Sequence, residues 1–115
     1  MSRKCFVCHL FNDILETTEG FFLFNEAIEN IWIQGIVIRR DKMQFTTNIF
    51  IDDGTGAVRV TFAKEFSEQY SSSLSLGDYV IVKGVIVSGL NIVTGMKETF
   101  IEGLRTTKTT VFTIL

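Results

Sequence analysis

Cys5, Cys8 and His9 stand together as C-F-V-C-H, a spacing that could supply the two thioethers and one axial ligand of a c-type haem, or part of a zinc site. Haem attachment also needs export and a second axial ligand, whereas His9 is the chain's 1 histidine. A four-ligand zinc site would have to recruit carboxylates or another chain. Two reduced cysteines in an apolar segment are therefore the preferred reading, with no metal or cofactor expected. The stretch 49–62, IFIDDGTGAVRVTF, offers paired carboxylates and closely spaced glycines. It lacks the further oxygen ligands and closing glutamate of a calcium loop, and the lysine and following helix of a phosphate loop. A hairpin turn accounts for each residue: an aspartate caps the turn, Gly54 takes a positive φ, and Gly56 permits a bulge as pairing resumes. No serine or cysteine has a nucleophile-elbow context, so no enzyme is expected and no catalytic residue is assigned.

Binding chemistry is better represented. Arg39, Arg40 and Lys42 cluster in an expected loop between two strands, and Phe50 and Arg59 share a face with Thr46, Asn48 and Thr61. Stacking rings beside basic groups are what a single nucleic-acid strand requires. One ring is a thin platform, a net charge of −2 is unfavourable, and the basic residues are dispersed. A protein-interaction role is preferred, with these five residues as the candidate nucleic-acid contacts.

The elements that position these groups are strands. Asn30–Arg40 places Ile31, Ile33, Gly35 and Val37 on one face and Trp32, Gln34, Ile36 and Ile38 on the other, which predicts a central strand covered on both sides. YVIVKGVIVS at 79–88 repeats the pattern, with a glycine again at its centre, as a bend, bulge or barrel corner requires. Gln44–Asp52 and Ala57–Phe62 alternate with a period of two, and Asn91–Phe100 is the predicted fifth strand. Ala63, Phe66 and Tyr70 have the spacing of a short helix between the third and fourth strands. The N-terminal segment admits a helix over Cys5–Leu15 or an extra strand over Lys4–Leu10. Ile101, Leu104, Val111, Phe112 and Leu115 form a helical stripe weakened by threonines, read as a marginal C-terminal helix that needs a partner.

The fold expected is all-β: a five-stranded OB-type barrel over 30–103, an N-terminal extension over 1–29 packed on it, and a helical docking segment over 104–115. At 115 residues and 46% apolar content the chain can bury a core of its own as one domain. Its 11 Phe against 2 Tyr and 1 Trp suggest rings in a core or partner interface. With no 18-residue apolar window and no leader pattern, an intracellular protein with no membrane contact is expected.

IWIQGIVI followed by a hairpin, IDDGTGAVRVTF and then LGDYVIVKGVIVSG resembles the OB domains of the middle subunit of replication protein A and its paralogues. Among these it is most similar to the RecQ-mediated genome instability protein 2 family, over roughly Glu29–Phe100. The resemblance implies a nuclear, non-catalytic subunit that pairs with an OB domain of RecQ-mediated genome instability protein 1. Through that pairing it would join a RecQ helicase and topoisomerase III in dissolving recombination intermediates. It further implies a docking helix after the barrel, with Leu104, Val111, Phe112 and Leu115 in the corresponding place, and weak or indirect DNA contact.

Overall fold

The computed structural model of the chain describes residues 2–63 and 74–109. Strand β1 (Ser2–Lys4) leads into helix α1 (Val7–Asn12), and a meander of three short strands follows: β2 (Ile14–Thr17), β3 (Gly20–Leu23) and β4 (Glu26–Ile28). The long strands are β5 (Asn30–Lys42), β6 (Thr46–Asp52), β7 (Ala57–Ala63), β8 (Tyr79–Leu90) and β9 (Lys97–Thr109). Antiparallel ladders join β5 to β6, β6 to β7, β8 to β9 and β5 to β8, while β7 meets β9 in parallel through Val60–Ile101 and Thr61–Glu102. These pairings return on themselves, so the ring has no free edge. β1 extends the sheet beside the start of β5.

Period-two alternation explains the interior. Ile31, Ile33, Val37, Ile49, Ile51, Val58, Val60, Phe62, Val80, Val82 and Ile101 all point inward and are almost fully buried. Cys5, Val7, Leu10, Leu23 and Ile28 from the first thirty residues join the same cluster. The central glycines follow from close approach rather than bending alone. A Cβ at Gly35 would collide with the Asp52 carbonyl oxygen, and one at Gly84 with that of Glu102. The β8–β9 register shifts at Lys83/Gly84 as the glycine predicts, whereas the shift in β5 falls later, between Val37 and Arg39.

Several expectations are corrected. Leu104–Thr109 is not helical: it continues β9, with Arg105–Thr109 paired to Tyr79–Lys83 and Leu104 the extra residue at the register shift, so the boundary expected at 103/104 falls inside a strand. Threonine-rich, β-branched sequence suits a pleated ladder better than a helix, which is why the spacing from Ile101 misled. The fifth strand begins at Lys97, because 91–96 form the turn. The predicted helix over 63–73 lies outside the described residues except Ala63, which ends β7. Of the N-terminal alternatives the helix is realised in shortened form as Val7–Asn12, whereas the strand lies earlier than expected, at Ser2–Lys4, and Val7–Leu10 is helical. Finally, the outer face of β5 is covered only in part: Trp32 and Gln34 are half-buried, but Ile36 and Ile38 are 45% and 47% exposed.

Candidate functional site

The acidic turn is architecture of a particular kind. Gly54 has φ +89° and its amide donates to Asp52 Oδ1 at 2.8 Å, while the Thr55 amide and hydroxyl both donate to Asp53 Oδ1. The other oxygen of Asp53 accepts from the Val7 amide at 2.8 Å, and Thr55 Oγ1 accepts from the Cys8 amide at 3.1 Å. Phe6, at the start of α1, has no side chain able to cap, so a turn 46 residues away satisfies the helix's free N–H groups. Gly56 makes no bulge, since β6 and β7 stay in register from Asp52–Ala57 onward; its bare Cα instead leaves room for Val7. Burial alone would raise the Asp53 pKa, but the Thr55 hydroxyl and the Val7 and Thr55 amides outweigh it and hold the carboxyl below its ordinary value.

Around the cysteines the chemistry is quiet. Cys5 is buried in the core, which pushes its thiol up against the lowering charge of Arg3, so little of it is thiolate. His9 lies edge-on between the rings of Phe6 and Phe24, at 5.4 and 5.5 Å. Among the described residues no three metal-ligating side chains converge.

The candidate nucleic-acid contacts separate into two groups. Arg39, Phe50 and Arg59 are cross-strand neighbours on adjacent strands and do come together on the outer face. The Arg39 guanidinium lies 5.3 Å from the Phe50 ring, and that of Arg59 lies 4.2 Å from Phe100. Arg59 is ion-paired with Glu98, and Arg39 with Asp41 at 2.9 Å. Arg40 and Lys42 are exposed within β5 rather than in a loop, and the turn is confined to 43–45. Phe100 and Glu98 were missed from sequence because the parallel β7–β9 pairing that brings them beside Arg59 leaves no local signal. Of the candidate partner contacts, Leu104 is on β9 and 38% exposed, while Val111, Phe112 and Leu115 lie outside the described residues.

A second surface is apolar. Ile36 and Ile38 protrude from the outer face of β5, and the Gln34 amide donates to the Tyr79 hydroxyl at 2.9 Å beside them. The cleft that Ile36 and Ile38 line is also lined by Asp52, Asp53 and Tyr79, so its apolar side chains border the acidic turn.

The fold is shared with known proteins. A replication protein A heterotrimer bound to single-stranded DNA contains a chain similar to this one at a TM-score of 0.78 and 15% identity, covering 96% of this chain and 83% of that one. Yeast replication protein A bound to single-stranded DNA gives 0.73 and 17%, covering 97% and 79%. The S. pombe Stn1–Ten1 complex gives 0.64 and 22%, covering 77% and 64%. Among curated proteins no sequence matches significantly. The family model for RecQ-mediated genome instability protein 2 matches residues 13–110, which spans the meander and all five long strands. The chain therefore belongs to the RecQ-mediated genome instability protein 2 family.

Proposed function

We propose that the chain is a non-catalytic scaffold subunit, built on a five-stranded OB barrel, that acts through protein surfaces in the nucleus. Its partner is an OB-domain protein of the RecQ-mediated genome instability protein 1 type, and through it a RecQ helicase and topoisomerase III that dissolve recombination intermediates. Family membership supports the role in genome stability. The observation that carries the docking mode is the open apolar face of β5, where Ile36 and Ile38 stand 45% and 47% exposed. Covering two such side chains contributes about 1 kcal/mol or more each at ordinary burial coefficients. Affinity purification of the tagged chain from cells, followed by mass spectrometry, tests the reading. The expected result is co-purification of a second OB protein with helicase and topoisomerase, lost in an Ile36→Asp/Ile38→Asp variant whose circular dichroism is unchanged. Equal capture by that variant, or absence of helicase and topoisomerase, overturns it.

A single-strand-binding module is the second reading, favoured by the row Arg39, Phe50, Arg59 and Phe100. The carboxylates of Asp41 and Glu98 already neutralise its two arginines, which weakens attraction for phosphate. Fluorescence anisotropy with a labelled oligonucleotide at low salt separates the readings. Salt-sensitive binding that falls with Arg59→Ala supports this one, and flat anisotropy removes it.

A further inference from the structure

The meander turns Ile14, Phe21, Leu23 and Ile28 toward the core, and its opposite face is also apolar. There Leu15 pairs with Phe22 across β2 and β3, and Leu15 is 61% exposed. A groove of about 790 Å³ runs over this face, walled by Leu15, Phe22 and Phe24 with Asn12 and Asn25 at one end. Asp13 and Glu19 line it and no lysine or arginine does. Phe24 is the unusual feature: it and Asn25 form the two-residue connection between β3 and β4 with φ of +50° and +67°. Such turns favour Asn-Gly or Gly-Gly, and a bulky residue there is strained. The ring meets the edge of His9 at 5.5 Å, yet Phe24 remains 60% exposed on the wall of the groove. Backbone strain at a side chain that leaves most of its surface on a cleft wall is the pattern of a residue kept for what it touches outside the chain.

We propose that this groove is a docking site for a short peptide segment of another protein that carries a large apolar side chain flanked by lysine or arginine. The rings of Phe22 and Phe24 and the Leu15 side chain take the apolar residue, and Asp13 and Glu19 take the basic flanks. The site lies on the meander and is distinct from the open β5 face, so it stands or falls apart from the scaffold reading.

The test titrates the full, 15N-labelled chain with two synthetic decapeptides that share a central Leu-Phe pair, one flanked by lysines and the other by glutamates, read by amide chemical shifts. The lysine peptide is expected to move the amides of residues 12–25 and to bind at least tenfold more tightly than the glutamate peptide. An Asp13→Lys/Glu19→Lys variant should reverse that order. Phe24→Asn should relax the turn, raise Tm and still weaken lysine-peptide binding at least tenfold, which separates loss of the site from loss of the fold. Shifts spread over the β5 face, equal affinity for both peptides, unchanged affinity in Phe24→Asn, or no shifts at millimolar peptide overturns the proposal.

Discussion

Asp53 ties two distant parts of the chain together. It closes its own turn and caps a helix from another part of the sequence, so Asp53→Ala removes acceptors from the Val7 amide and from the Thr55 amide and hydroxyl together. A loss of about 1–2 kcal/mol in unfolding free energy is expected, measured by urea denaturation, with Asp53→Asn retaining most of it. The pH dependence follows from the same bonds. Because the folded carboxyl titrates below its ordinary value of about 3.9, its contribution is complete above that value and disappears as pH falls through it toward the folded one. Asp78, held low by the Ser75 amide and the Lys108 ammonium, acts in the same sense. Unfolding free energy measured against pH below 5 should therefore slope downward, and less steeply in Asp53→Asn. The aspartate-glycine turn was legible in the sequence, since Gly54 needs a positive φ. Its capping duty was not, because nothing local to 52–56 names Val7 and Cys8 as donors.

At the scale of the element, the two long glycine-centred strands show why residue type matters where backbones cross. Gly35→Ala and Gly84→Ala each drive a methyl group into a carbonyl oxygen of a paired strand, and a carbonyl locked in a ladder cannot turn aside. Each substitution should cost about 1–3 kcal/mol or more in thermal or chemical unfolding, whereas Gly89→Ala, with nothing near its added carbon, should be close to neutral. Alternation made β5 to β8 readable, because a strand with one buried face must repeat every second residue. The meander escaped notice for the opposite reason: strands of three or four residues give too few repeats to show a period, and both faces of β2–β3 are apolar. The C-terminal stretch was misread because apolar spacing outweighed its threonines. Those threonines were the better guide, and they pair along β8 at Thr106, Thr107 and Thr109.

For the whole molecule, closure of the ring makes the last strand indispensable. A truncation after Gly103 strips Tyr79–Lys83 of their β9 partners and should abolish cooperative unfolding, so it cannot report on docking. Ending the chain after Thr109 keeps every described ladder, and a cooperative melt is expected. If the final residues contribute to docking, partner capture should fall in this shorter chain while its melt persists.

Residue chemistry alone was enough to establish that the chain is built of strands, that the aspartates and glycines at 52–56 make a turn, and that Cys5 lies in an apolar setting. Those properties depend on neighbours within a few positions, where periodicity and backbone preference act. Tertiary structure alone decided that β7 and β9 meet in parallel, that Glu98 and Phe100 claim Arg59, that one face of β5 stays open, and that the meander carries a groove. Each of these joins groups distant along the chain, and such contacts follow from how the ring closes, which no short window of sequence encodes.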